Sequence, residues 1–154
     1  MPDTECAQAR SHRASAASQG VGHNANPVTD PASLRVLVVD DEPFTLKALQ
    51  RLLKDHRVDV ASSGREALQL FESQGPYDVI LCDIMMPELT GVDVYRHVAR
   101  VAPGAERRIV FVSGGAFGEE IVSFIQSLPN TLITKPFDRH ELCEVVERVG
   151  RSED

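Results

Sequence analysis

The chain lacks several things that would have pointed elsewhere. No stretch of its 154 residues approaches the roughly eighteen apolar residues of a membrane-spanning helix, so no membrane partner is expected. It has no basic excess. Lys and Arg number 16 against 23 Asp and Glu, the formal charge is −7, and only Arg107-Arg108 are adjacent. Phosphate-backbone binding needs a basic stripe, so nucleic acid is not an expected partner either. Cysteine is scarce: Cys6, Cys82 and Cys143 are odd in number and show no metal-ligand spacing. Cys82 lies in an apolar run and Cys143 on an apolar helical face, which reads as inert buried thiols in a reducing, cytoplasmic setting. The first 33 residues contain no Leu, Ile or Phe. They read as a disordered polar tail and, having no apolar core segment, not as a secretory signal. No internal repeat is present.

What remains is ordinary globular material, 42% hydrophobic and 25% charged. One domain over residues 34–150 is expected, with a short tail at 151–154. Within it, short apolar runs alternate with segments of helical period. Strands are predicted at about 35–40, 57–61, 77–82, 108–113 and 132–134. Helices are predicted at about 43–54, opened by Pro43, and at 64–73, capped by Ser62 or Ser63. Further helices follow at 91–101, at 118–128, and over the Leu142, Val145, Val146, Val149 stripe. Apolar runs with little alternation indicate strands covered on both faces, hence a parallel sheet. The fold class is therefore α/β and doubly wound, a five-stranded parallel sheet of order 2-1-3-4-5 with helices on both faces.

That fold gives the strand ends a meaning. The first run ends in Asp40-Asp41, the third in Asp83, and the fifth in Lys135-Pro136-Phe137. In an open parallel sheet these carboxyl ends share one edge, where ligands bind. Three carboxylates there repel one another and suit a hard divalent cation. Asp83 is expected to face solvent at that edge. His56, His97 and His140 fall far from it and read as surface or helix-end residues.

Taken together, Val38-Val39-Asp40-Asp41, Cys82-Asp83-Ile84-Met85-Met86-Pro87, Ser113-Gly114-Gly115 and Thr134-Lys135-Pro136-Phe137 resemble the landmarks of response-regulator receiver domains, which share a flavodoxin-like fold. They stand in that family's order, at the ends of the first, third, fourth and fifth strands. The resemblance implies that Asp83 is a phosphoacceptor taking a phosphoryl group from a phosphohistidine. It implies a Mg²⁺ site made by Asp41 and Asp83 directly, by Asp40 through water, and by the backbone carbonyl of Met85. Lys135 and Ser113 would contact the phosphoryl oxygens, the Gly114-Gly115 loop would let the backbone approach closely and move, and the Lys135-Pro136 bond would be cis.

The implied partners are a histidine kinase or histidine phosphotransfer protein and, downstream, a protein target or a second copy of the phosphorylated chain. No residues follow Asp154 to form an output domain, so a stand-alone receiver or one belonging to a hybrid histidine kinase is expected. One departure stands out: Leu132 occupies a position that is aromatic in many receivers. Two other readings compete. A receiver-like binding module that is never phosphorylated would usually have lost part of the acidic site. A phosphatase with an aspartate nucleophile would need a second acid where Met85 stands.

Overall fold

The computed structural model describes residues 33–115 and 118–152. The tail expected over the first 33 residues lies outside these, apart from Ser33. Five parallel strands, β1 (Arg35–Val39), β2 (Arg57–Ala61), β3 (Val79–Asp83), β4 (Ile109–Ser113) and β5 (Leu132–Thr134), form one sheet of order β2-β1-β3-β4-β5. Five α-helices alternate with them: α1 (Pro43–Leu52), α2 (Gly64–Gln74), α3 (Gly91–Val101), α4 (Glu119–Gln126) and α5 (Arg139–Gly150). The doubly wound, flavodoxin-like topology expected from the sequence is the one observed.

Alternate residues of each central strand feed opposite cores, as the period of two requires. Leu37, Val39, Ile80, Cys82, Ile109 and Phe111 pack with α2, α3 and α4. Val36, Val38, Leu81, Val110, Val112 and Ile133 pack with α1 and α5. Because both faces are covered, the strands are apolar throughout. Burying each of these branched side chains contributes about 1.5–3 kcal/mol.

Local chemistry fixes the helix starts. Pro43 opens α1, and Ser63 rather than Ser62 caps α2, accepting from the Glu66 N–H. Thr90 and Asp93 form a reciprocal capping box at the start of α3. Asp138 caps α5, which begins three residues before the Leu142 stripe. A short 3₁₀ turn, Ala105–Arg108, was not foreseen; it follows Gly104, whose φ of 102° suits glycine. The third strand starts two residues later than expected and takes in Asp83.

Cys82 is a free thiol and fully buried. Burial pushes that thiol far above its ordinary range, which removes it as a nucleophile. Cys143 is also buried but is disulfide-bonded, so the reading of it as an inert free thiol is corrected and holds for Cys82 alone. His56 departs from the surface position expected of it. Its side chain is 6% exposed, with Nδ1 accepting from the Leu34 N–H and Nε2 3.5 Å from Glu147. No described helix is long and apolar enough to cross a membrane.

Candidate functional site

The carboxyl edge of the sheet carries the chemistry. β1 runs into Asp40 and Asp41, and a ladder bond from the Asp40 N–H to the Ala61 carbonyl keeps Asp40 in the sheet's plane. β3 ends on Asp83, between β1 and β4. Lys135 follows β5 directly, and its N–H donates to the Ser113 carbonyl. The Lys135-Pro136 bond is cis, as expected, and so is Gly75-Pro76. The strands thus set side by side four groups that are 95 residues apart at the extremes, Asp40 and Lys135.

Carboxylate oxygens of Asp40, Asp41 and Asp83 all lie within 4.8 Å of one another. Asp41 is exposed, whereas Asp40 and Asp83 are buried. The expectation that Asp83 faces solvent is therefore corrected. As the last residue of a central strand it is walled by its neighbours' ends and is 6% exposed. Lys135 Nζ donates to Asp40 Oδ2 at 2.8 Å and stands 3.7 Å from Asp83 Oδ2. The other oxygen of Asp40 accepts from the Glu42 N–H at 2.8 Å. Glu42 itself is exposed at the rim.

Among the described residues, the buried polar or charged ones are Asp40, Asp83 and Ser113. All three belong to this site. Buried polar groups are costly unless paired, and here the pairing is incomplete. Burial pushes the Asp83 carboxyl up to about 6, and the Asp40 charge adds to that; Lys135 and a backbone hydrogen bond from Met85 pull it back. Burial works against the Lys135 ammonium, but its bond to Asp40 and the surrounding carboxylates hold it above its usual range. It remains a cation. One ammonium faces three carboxylates, so the pocket keeps an excess of negative charge.

Small residues make this packing feasible. A Cβ on Gly114 would come 3.1 Å from Lys135 Cδ, so Gly114 lets the lysine lie across the loop. Gly115 has no such neighbour, and the expectation of close approach holds for Gly114 alone. A Cβ on Gly91 would meet the Asp83 carbonyl oxygen at 2.7 Å, so glycine is what allows α3 to start against the end of β3. The Ser113 hydroxyl donates to the Gly115 carbonyl across a long 3.3 Å. Leu132 is 41% exposed on β5, and Met85 is 47% exposed beside Asp83.

The structure brings Asp40, Asp41, Asp83, Ser113, Gly114 and Lys135 to one edge, with Met85 at its rim. The sequence did not reveal that Lys135 rests on Asp40 rather than Asp83, because side-chain pairing among converged charges leaves no trace in spacing. Gly91 was read only as the start of a helix; its close approach to the Asp83 carbonyl was not foreseen.

The model of the response regulator receiver domain matches residues 36–147. This chain belongs to that family. The receiver is 28% identical over 120 residues to the chemotaxis protein CheY of Thermotoga maritima, an alignment that spans 76% of this chain and 98% of that protein. It is 35% identical over 111 residues to the transcriptional regulatory protein DltR of Streptococcus agalactiae, covering 71% of this chain and 48% of the relative. The chain therefore spans about half the length of that regulator. Among solved structures, it resembles the receiver domain of a Pseudomonas aeruginosa sensor histidine kinase, determined with a magnesium ion coordinated in its active-site cleft. That likeness has a TM-score of 0.64 and 27% identity, over 78% of this chain and 99% of the other.

Proposed function

We propose that this receiver is the phosphoacceptor of a two-component phosphorelay, with Asp83 as the residue that carries the phosphoryl group. The observation that carries this reading is that the buried polar residues of the described chain converge on one edge, around a carboxylate held by a single lysine. Such a cluster is unfavourable for stability and suited to binding.

The donor set fits Mg²⁺: all three side chains offer hard oxygen ligands, and one of them, Asp41, is open to solvent. Asp41 and Asp83 would hold the ion directly with the Met85 carbonyl, and Asp40, already engaged by Lys135 and the Glu42 N–H, through water. When bound, the ion supplies screening between two anions and charge stabilisation on the phosphoryl oxygens.

In the transfer, an Asp83 oxygen attacks the phosphorus of a phosphohistidine on a histidine kinase or phosphotransfer protein. The new O–P bond forms as the P–N bond breaks, and the imidazole leaves with the electron pair and takes up a proton. Lys135 acts as a point charge toward the phosphoryl oxygens. The Ser113 hydroxyl exchanges its weak bond to Gly115 for a phosphoryl oxygen, which draws in the loop that follows β4. With Leu132 in place of an aromatic ring, the output rides on the position of that loop and of α4. The surface of α4, β5 and α5 then docks a downstream protein or a second phosphorylated copy. The chain assists its own phosphorylation and dephosphorylation in the cytoplasm and acts on no separate substrate. Met85 stands where a phosphatase of this kind would need its second acid, which disfavours that alternative.

Incubation with acetyl phosphate and Mg²⁺, followed by intact-mass measurement, tests the assignment. The native chain should gain one phosphoryl group, Asp83→Asn none, and Asp41→Ala should lose both Mg²⁺ affinity and phosphorylation. A gain that persists in Asp83→Asn would sink the proposal. Beryllofluoride should shift the amides of residues 114–118 in the native chain, and much less in Ser113→Ala.

A further inference from the structure

The opposite, amino-terminal edge of the sheet holds a second concavity that phosphoacceptor chemistry does not use. Three separate segments build this cavity of about 480 Å³: the end of the 3₁₀ turn with Arg107 and Arg108, the Pro129–Thr131 connection into β5, and the last turn of α5 with Arg148 and Val149. Among the described residues three guanidiniums line it and no carboxylate does, in a chain whose formal charge is −7.

Its walls are tied together. Arg108 Nη1 donates to the Val149 carbonyl at 2.9 Å. Asn130 Nδ2 donates to the Glu106 and Ile109 carbonyls at 2.9 and 2.8 Å. Arg148 Nη2 reaches the Thr131 hydroxyl at 3.3 Å. A cavity braced in this way is preformed, and its size falls within the range of small-molecule sites, roughly 300–1,000 Å³.

The three arginines are not equivalent. Arg108 has a structural role, because it satisfies a carbonyl at the end of α5 and faces the negative end of that helix. Arg148 spends one nitrogen on a neutral hydroxyl. Arg107 is exposed; its backbone N–H donates to the Gly104 carbonyl, while its guanidinium makes no hydrogen bond or ion pair among the described residues. Two guanidinium forks thus remain largely open at the mouth, a geometry that suits the paired oxygens of a phosphate. Pro129, Val149 and Ile109 supply apolar wall beside them. An anion with no apolar part would leave that wall wet, and a flat macromolecular surface would not fill the concavity.

We propose that this cavity binds a nucleotide-sized phosphate ester, with its phosphate between Arg107 and Arg148 and its apolar ring against Pro129 and Val149. The site is separate from the acidic pocket and needs no Mg²⁺.

The test is an amide-shift titration of the full ¹⁵N-labelled chain in metal-free buffer. ADP, inorganic phosphate, adenosine and a short poly-glutamate peptide are the probes. ADP should give saturable shifts at Thr131, Val149 and Ser152 and leave Asp41 and Asp83 unmoved. Adenosine and phosphate should each bind at least roughly tenfold more weakly. Arg107→Ala and Arg148→Ala should each weaken ADP roughly tenfold, with part of the loss restored in Arg107→Lys. Both variants should still take a phosphoryl group from acetyl phosphate, which shows that they are folded. No saturable shift with ADP overturns the proposal. Phosphate binding as tightly as ADP reduces the cavity to a bare anion site and overturns the ester. A poly-glutamate peptide that binds more tightly than ADP at the same amides overturns it in favour of an acidic protein partner.

Discussion

The two edges of the sheet treat charge in opposite ways. At the carboxyl edge, Asp40, Asp41 and Asp83 share Lys135, and burial holds Asp83 well above its ordinary range. At the amino edge, beside the arginine cavity, buried and half-buried charges are paired. His56 bridges Leu34 and Glu147, Arg151 adds a 2.6 Å bond to Glu147, and Tyr77 donates to Asp59 at 2.6 Å with Arg35 stacked on its ring. The same strands therefore end in an under-paired acidic cluster on one side and, around the starts of β1 and β3, in a paired network on the other. The difference teaches that the acidic cluster is not a by-product of the fold. A parallel sheet can finish its strand ends in matched pairs, as β1 and β3 do at their amino ends.

The largest expected break in this contrast comes from His56→Ala. It leaves the Leu34 N–H without its partner, takes one of two partners from the Glu147 carboxylate (Arg151 remains) and should cost about 2–3 kcal/mol in urea unfolding. A cost no greater than that of an ordinary surface substitution would show that the amino-edge network is not what holds β1 and α5 together.

Asp83→Asn should shift stability the other way. The Asp83 carboxyl is raised from 3.8 to about 6, so the folded state keeps a proton that the unfolded chain has already lost. Stability is fully present below about pH 4 and declines as pH rises through about 6. Asp83→Asn removes that decline. It should be more stable than the native chain by about 1–2 kcal/mol at neutral pH, with the advantage vanishing near pH 4.

Glu147 carries the opposite sign. The hydrogen bond from His56, and then the single hydrogen bond and the charge of Arg151, hold its carboxyl down at about 2 against burial. Its contribution is present above about pH 4.5 and is lost as pH falls toward 2. Glu147→Gln should therefore cost about 1 kcal/mol at neutral pH, reduced by solvent screening of a partly exposed pair, and little in strong acid. Unfolding curves across pH for both variants would sharpen the comparison, since the two edges should respond in opposite directions. Removal of residues 1–32 should change least, because every residue of the site lies beyond them.

The fold was legible because a parallel sheet covered on both faces leaves apolar runs such as Val36–Val39 and Ile109–Val112, and because Pro43, Ser63 and Gly91 mark helix starts. The site was legible for a related reason. Strand topology alone carries Asp40, Asp41, Asp83 and Lys135 to one edge, so reading the topology amounts to reading the site. What escaped depends on contacts between side chains distant in sequence. The burial of His56 follows from Leu34 and Glu147 closing over it, and neither neighbour is visible in the local pattern around a histidine between a helix and a strand. The burial of Asp83 was missed because a strand-end carboxylate is usually wet, and only the flanking strand ends close over it. The arginine cavity escaped because Arg107, Asn130 and Arg148 come from three elements and form no motif.

The account rests on the carboxyl edge being held in an unfavourable state that a cation relieves. Urea unfolding of the native chain and of Asp83→Asn at neutral pH, with and without Mg²⁺, measures this directly. Without metal, Asp83→Asn should be the more stable chain. Mg²⁺ at about ten times its dissociation constant should raise the native chain by about 1.4 kcal/mol and leave Asp83→Asn nearly unchanged, reversing or erasing the gap. Equal responses of the two chains to Mg²⁺, or a metal-free Asp83→Asn less stable than the native chain, would contradict it.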